Sequence, residues 1–165
     1  MDLDAYRHRS STIIDRPPAA VYDLLADVSC MGTWSPVCTG GAYDDDSREW
    51  FTGTNAIGDT AWDTRCRVVV ADRGREFAFV NHGRDGRYAM VRWGFVLEPA
   101  SGGGTEVTQT WEVLPAYADG FATEENPGMT LEQRLDFMKA MAESGMPETL
   151  AGLKRDAESA PSATT

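Results

Sequence analysis

The sequence contains few of the residues that build metal, redox or nucleophilic sites. Two histidines occur among its 165 residues, and there is no HExxH, CxxC, P-loop or GxGxxG motif. Cysteine occurs three times, and the separation of Cys30 from Cys38 is too long for a zinc knuckle. We therefore expect no metal and no cofactor, and we interpret the cysteines as reduced, small apolar residues of the core.

Basic residues are also scarce, which excludes two classes of partner. Lysine and arginine total 15 against 26 aspartates and glutamates, a formal net charge of -11. Such a surface repels nucleic-acid phosphates and anionic lipid headgroups. No apolar run is long enough to span a bilayer, and the N-terminal MDLDAYRHRS has no apolar signal core. We expect a cytoplasmic protein, a monomer or homodimer, with no nucleic-acid partner and no membrane insertion.

What remains is typical of one globular α+β domain. Apolar residues make up 42% of the chain. Seven segments rich in β-branched and aromatic residues, separated by turn sequences such as DDDS, DRGR and ASGGG, are predicted to be strands. They are 8–16, 37–43, 49–55, 61–72, 75–81, 87–99 and 105–113. The short spacing between them indicates antiparallel hairpins.

Two short helices are predicted between the first two strands. After a proline pair, four apolar residues recur at helical spacing: Val21, Leu24, Leu25 and Val28. A second helical turn, SCMGTW, follows and ends before Pro36. We expect Trp34 to close one end of the core at this corner.

A long helix is predicted near the C-terminus. Thr130 and Gln133 form a capping box at its start, and Pro147 is expected to kink or interrupt it. The preceding stretch, 115–129, is interpreted as a gating loop because it is long and rich in glycine, alanine and acidic residues. A curved seven-stranded antiparallel sheet around the long helix would bury the apolar faces of both.

Three parts of the chain resemble the START-like superfamily: the opening TIIDRPPAAVYDLLADVSCMGTWSPV, the GGT of the last hairpin and the helical GMPETLAGLK. That superfamily includes polyketide cyclase/dehydrase and lipid-transport proteins and the birch pollen allergen group. The resemblance implies a helix-grip fold with an elongated apolar cavity between the sheet and the C-terminal helix. We assign the START-like domain to 8–158, an N-terminal extension to 1–7 and a disordered tail to 159–165.

Strand alternation selects the residues that face this cavity. With the charged positions of each strand directed to solvent, the alternate uncharged positions point inward. The predicted ligand-binding residues are Trp62, Thr64, Cys66, Phe77, Phe79, Asn81, Trp93, Gln109 and Trp111 on the strands, and Phe137, Met138 and Met141 on the helix. The three tryptophans are expected to converge with Phe79 and Met141, while Thr64, Asn81 or Gln109 orients a ligand. Ordinary core packing would also explain each residue taken singly.

The evidence for catalysis is weaker than the evidence for a cavity. Cyclases of the superfamily use an inward arginine or tyrosine to polarise a ketone. Arg65 and Arg67 are predicted to face solvent if Trp62 faces inward, and a one-residue change of register would reverse this. Asp63 and Glu49 would serve as acids only if buried, and we expect both on a solvated strand face.

Two functions of different classes follow. The first is a carrier or sensor that binds a small hydrophobic molecule, such as a lipid, a polyketide or an aromatic compound, in an internal cavity. The alternative is a polyketide cyclase/aromatase-type enzyme, which the resemblance suggests. A partner-binding protein with a filled core is a third possibility. The space inside the sheet and the direction of Arg65 and Arg67 discriminate among them.

Overall fold

The computed structural model describes residues 1–161, and its elements follow the predicted order. The strands are β1 (Arg7–Ile14), β2 (Cys38–Tyr43), β3 (Trp50–Ile57), β4 (Thr60–Asp72), β5 (Glu76–Asn81), β6 (Val91–Pro99) and β7 (Thr105–Val113). The helices are α1 (Pro18–Ala26), α2 (Met31–Trp34), α3 (Tyr117–Phe121) and α4 (Leu131–Ser159), with single 3-10 turns at Leu3–Ala5, Val28–Cys30 and Ser101–Gly103.

The seven strands form one antiparallel sheet in the order β1-β7-β6-β5-β4-β3-β2. Strands β2 to β7 form a meander. The first strand, β1, pairs with the last, β7, and forms one edge of the sheet. Register shifts interrupt the β2–β3 pairing between Cys38 and Gly40 and the β4–β5 pairing between Val68 and Val70. Such irregularities bend the strand that carries them, and a bent sheet is able to wrap around a helix. The α+β helix-grip fold with two short helices after β1 is therefore confirmed.

Helix α4 is continuous through Pro147, so the expectation that this proline interrupts it is wrong. A proline inside a helix costs roughly 3 kcal/mol, because it lacks the N–H and crowds the preceding turn. The neighbouring Met146 and Leu150 are 1% and 2% exposed, and burial of each side chain contributes about 1.5–3 kcal/mol. Packing therefore offsets the local preference. The capping box of Thr130 and Gln133 is present at the helix start.

Two other segments contain structure that the sequence analysis did not assign. The stretch predicted as a gating loop contains α3, whose Tyr117 is buried. The N-terminal segment forms a 3-10 turn, and the hydroxyl of Tyr6 donates to Asp136 of α4 at 3.0 Å. The tail predicted from 159 onward begins at the last residue of α4, and its residues 162–165 lie outside the described part of the chain.

Helix α4 packs mainly against β1, α2 and β7. Gly152 permits the contact with α2, because a Cβ at this position would lie 2.8 Å from both the Cα and the carbonyl oxygen of Trp34. The indole of Trp34 then packs edge-to-face on Phe95 of β6, with ring centroids 6.1 Å apart. Trp34 is 5% exposed and closes the core at the corner where α2 meets β2.

Replacement of Gly152 by alanine should destabilise the protein by about 1–3 kcal/mol, because the new methyl group overlaps the backbone of α2. Gly145→Ala is the matched control on the same helix. A Cβ at position 145 meets nothing closer than Pro36 Cγ at 3.7 Å, so this change should stabilise α4 by about 0.5–1 kcal/mol. Urea unfolding of both variants measures the difference. Equal midpoints for the two would contradict the close approach of α4 to α2.

Candidate functional site

The concave face of the sheet carries the predicted inner residues of the strands. Trp93 is the register partner of both Phe79 and Trp111, and Phe95 is the partner of both Phe77 and Gln109. Paired residues in antiparallel strands point to the same face. The alternation inferred for β4 to β7 is therefore the one that the structure has, and aromatic side chains cross the middle of the face.

One part of this face is filled by aromatic rings that touch one another. Phe51 lies 5.1 Å from Phe79 between ring centroids, and Phe77 lies 6.1 Å from Phe79. Tyr22 of α1 and Tyr43 of β2 add edge-to-face contacts with Phe77 and Phe51 at 6.0 and 5.8 Å. Phe77 and Phe79 therefore serve the packed core in this structure.

A second part of the face, along β3 and β4, remains partly accessible. Trp62 and Thr64 are half-buried, and so is Asn55, their neighbour on β3. The amide nitrogen of Asn55 donates to the Trp62 carbonyl and to Thr64 Oγ1, both at 3.4 Å. Sequence reasoning did not select Asn55, although alternation from Phe51 along the same strand places it inward. Trp62 pairs with Asn55 and not with an aromatic residue, so it does not join Trp93 and Trp111.

The predicted polar residues of the inner face differ in how they are satisfied. Asn81 Oδ1 accepts from the Gly83 backbone N–H at 2.7 Å, and Thr64 Oγ1 contacts Asn55 and the sulfur of Cys66. Gln109 is 3% exposed, and its amide oxygen has no partner among residues 1–161. A buried acceptor without a partner costs roughly 1–3 kcal/mol. Among the three predicted polar residues, Gln109 is therefore the one whose buried amide oxygen accepts no hydrogen bond within residues 1–161.

A cavity of about 380 Å³ opens where the middle of α4 faces the β3–β4 hairpin and the α2–β2 corner. Its lining residues are Pro36, Val37, Ala56, Ile57, Gly58, Met141, Ser144, Gly145 and Glu148. We call this opening the mouth. Met141 is the one member of the predicted set that lines it. Sequence patterns did not identify the others, because which loop meets which turn of α4 is decided by tertiary packing.

The three helix residues predicted to face the ligand occupy different positions. Met138 is half-buried and packs with Trp93 against the cluster that contains Leu135 and Trp111. Met141 lines the mouth. Phe137 is 52% exposed, so its assignment to the inner face is wrong. It follows Leu135, which is buried, by two positions, and two helical steps of about 100° each carry it to the opposite side of α4.

Arg65 and Arg67 lie on the outer face, as predicted. The guanidinium of Arg65 donates to both carboxylate oxygens of Asp44 at 2.7 and 2.6 Å, and Arg67 donates to Glu49 at 3.1 and 2.8 Å. Both guanidinium groups lie over the ring of Trp50, at 5.3 and 5.9 Å from its centroid. The hydrogen bonds from Arg65 lower the pKa of Asp44. The ion pairs and the ring contacts together hold both arginines away from the concave side.

The inner-face thiol is not a poised nucleophile. Burial raises the pKa of Cys66 to about 12, because the thiolate would be poorly solvated. Burial also raises the pKa of Cys38 and of Cys30, and Cys30 in addition donates to Asp27. All three cysteines are free thiols. Within residues 1–161, no three His, Cys, Asp or Glu side chains gather into a set suited to a metal ion.

The segment 115–129 is fastened to the start of α4 by Arg134. Its guanidinium donates to both carboxylate oxygens of Glu124 at 3.2 and 3.1 Å and to the Pro127 carbonyl at 3.4 Å. The same group lies over the ring of Phe121, 5.4 Å from the centroid. Its Nε also donates to the sulfur of Met129 at 3.3 Å, so one side chain connects α4 with four residues of the segment predicted to act as a gate.

Comparison with known proteins identifies one family. The profile described as polyketide cyclase / dehydrase and lipid transport matches residues 7–158. No curated protein matches the sequence. Among solved structures, a Polyketide_cyc-like protein from Corynebacterium glutamicum is 31% identical, with a TM-score of 0.63, covering 93% of this chain and 91% of that one.

More distant structures share the fold. The Zhui aromatase/cyclase from Streptomyces sp. R1128 is 14% identical, with a TM-score of 0.68 and coverage of 92% of this chain and 93% of its own. A START superfamily protein from Mycobacterium smegmatis is 12% identical, with a TM-score of 0.66 and coverage of 92% and 97%. None of the helices in the described part of the chain has the length and apolar character needed to cross a membrane.

Alkylation should distinguish the cysteines of the native protein. At pH 8, iodoacetamide should modify Cys66 much more slowly than Cys30, because Cys66 is 3% exposed and its pKa is raised to about 12. Mass spectrometry of timed samples gives the rate at each residue. In urea, where burial is lost, the rates should become similar. Rapid modification of Cys66 in the folded protein would show that the inner face is more open than described.

Proposed function

The chain belongs to the polyketide cyclase/dehydrase and lipid transport family, and on this basis we propose that it binds a small hydrophobic molecule between the sheet and α4. The molecule is a lipid, a polyketide or an aromatic compound, and the protein acts as its carrier or sensor. The observation that carries the proposal is the cavity of about 380 Å³ beside a partly accessible inner face.

The size and chemistry of this region suit such a ligand. Pockets for small molecules have volumes of about 300–1,000 Å³ and are mostly apolar, with a few polar groups that fix orientation. The mouth is lined by apolar Val37, Ile57 and Met141, with Ser144 and Glu148 as its polar members. On the inner face of the sheet, the half-buried Trp62 and Trp93 offer aromatic surface. A hydrophobic molecule that covers these groups gains about 25 cal/mol for each Å² of apolar surface removed from water.

Binding without catalysis is favoured over a cyclase reaction by the groups available. Ring closure of a polyketide needs a group that polarises a ketone, and both arginines of β4 are held on the outer face by Asp44 and Glu49. The inner-face positions of β5, β6 and β7 carry no charged side chain. Similarity to the Zhui aromatase/cyclase at 14% identity extends to the fold.

The proposal is tested by filling the mouth. Tryptophan fluorescence titration with a fatty acid, a sterol and a fused-ring aromatic should find at least one compound that binds more tightly than millimolar. Gly145→Leu should weaken its binding by about tenfold or more, which is about 1.4 kcal/mol, because the new side chain occupies the mouth.

The matched control is Ala151→Leu, which places a leucine side chain at an exposed position of α4. Its affinity should equal that of the unmodified protein. Absence of binding by every compound, or equal loss in both variants, would contradict the proposal. Urea unfolding of the variants establishes that both remain folded.

We further propose that the segment 115–129 opens as a gate, with Arg134 holding it closed. Arg134→Gln removes the charge-assisted bonds to Glu124 and should increase hydrogen exchange of the segment several-fold, because these bonds oppose local opening. Mass spectrometry of exchanged peptides compares it with β7, whose exchange should not change. Unaltered exchange throughout the segment would exclude this role of Arg134.

A further inference from the structure

The mouth carries negative charge and no positive charge. Glu148 is the charged residue of its lining, and Asp59 directly follows the lining residue Gly58 in the hairpin turn. Neither carboxylate belongs to an ion pair in the part of the chain that the structure describes. The formal net charge of -11 adds to the negative potential at this opening.

The basic residues of α4 on either side of Glu148 are engaged elsewhere. Lys139 and Lys154 each pair with the glutamate four positions later on the helix. Arg155 donates to the carbonyl oxygen of Thr33 at 3.1 Å and contacts the carboxylate of Asp156. A cation that pairs with Glu148 must therefore come from outside these residues.

One side of α4 carries apolar side chains that lead to Glu148. Phe137, Met141 and Glu148 follow one another at intervals of four and seven residues, a spacing that places them on one face of a helix. Because Met141 and Glu148 line the mouth, Phe137 lies one turn beyond it on the same side. Phe137 is 52% exposed and belongs to neither apolar cluster of the core within residues 1–161.

The opposite wall of the mouth is apolar and also partly exposed. Ile57, at the end of the β3–β4 hairpin, is 43% exposed. The mouth thus has exposed apolar side chains on both walls and a carboxylate near one end. Phe137 and Glu148 are eleven residues apart, which is about 16 Å along the helix axis. A long, narrow molecule would cover the apolar groups and place one of its ends beside the carboxylate.

We propose that the ligand is an elongated amphiphile with a cationic head. Its apolar tail covers Phe137 and Met141, and its ammonium or amidinium head pairs with Glu148. An anionic head at the same place would be repelled, because two like charges would face each other with no cation between them. This inference rests on the proposed function, since it assigns the charge and the orientation of the molecule that the same cavity binds.

Three probes with one tail test the charge of the head: decylamine, which is protonated at pH 7, 1-decanol and decanoate. In calorimetric titrations at low salt, decylamine should bind about fivefold more tightly than 1-decanol, and decanoate should bind most weakly. The preference for decylamine should shrink in 0.5 M NaCl, because salt screens an exposed pair. If none of the three binds, the proposed function is contradicted for alkyl ligands. If 1-decanol binds as tightly as decylamine, the cavity is confirmed and the cationic head is rejected.

Substitution of Glu148 assigns the preference to one residue. Glu148→Gln should reduce the preference for decylamine over 1-decanol to about twofold or less, and Glu148→Lys should make decanoate the tightest of the three probes. Glu106→Gln is the matched control, because it makes the same change of net charge at an exposed position of β7, next to the inward Val107. The control should retain the fivefold preference. An equal loss in Glu106→Gln and Glu148→Gln would show that net charge alone attracts the amine, and would overturn the proposal.

Tail length tests the role of Phe137. Phe137→Ala should weaken decylamine about threefold or more and leave butylamine unchanged, because a short tail paired with Glu148 does not reach position 137. Ile13→Ala is the control, since Ile13 is a comparably exposed apolar residue, 49% exposed, on β1. It should bind both amines as the unmodified protein does. If Phe137→Ala weakens both amines equally, or neither, the proposed orientation is wrong. Urea unfolding of each variant establishes that it is folded.

Discussion

The contact between Gly152 and the backbone of Trp34 determines how the helix grips the sheet. Because position 152 has no side chain, α4 approaches α2 closely enough that a Cβ would overlap it. This approach presses the Trp34 indole onto Phe95 and brings Leu150 and Leu153 into the core with Ile14 and Val107. One face of the C-terminal half of α4 is thus buried in packing, through Leu150, Leu153 and Ala157. The mouth lies near the middle of the helix, where Met141, Gly145 and Glu148 line it.

The fold followed from local patterns because each pattern has a direct physical cause. Segments rich in β-branched and aromatic residues between turn sequences gave all seven strands, with bounds for β7 identical to those observed, and the Thr130–Gln133 capping box located the start of α4. Local reasoning failed where distant contacts decide the outcome. Pro147 disfavours helix in isolation, yet buried Met146 and Leu150 hold the helix together across it. The segment after β7 has weak helical signals, and burial of Tyr117 accompanies the short helix α3 there.

The candidate site was also predictable in part: the directions of the strand side chains were, and the position of the mouth was not. The direction of each strand side chain follows from alternation once one charged residue is placed outside, so Gln109, Trp93 and the outward Arg65 could be inferred. The mouth could not, because it joins a hairpin, a corner and a helix turn that are far apart in the chain. Phe137 was misassigned because hydrophobicity was weighed above its angular position on α4.

The walls of the mouth differ in how freely they can vary. The α4 wall and the α2–β2 wall are tied to the core through Gly152 and Trp34. The third wall is the end of the β3–β4 hairpin, where Ile57 is 43% exposed. Its neighbour Gly58 has a φ of +57°, which favours glycine, so the freedom to vary belongs to Ile57. Exposed positions of this kind usually change stability by less than about 0.5 kcal/mol when substituted. Descendants of this protein can therefore acquire different ligand preferences by mutation of the hairpin end, while the helix side of the mouth is held constant by selection for folding.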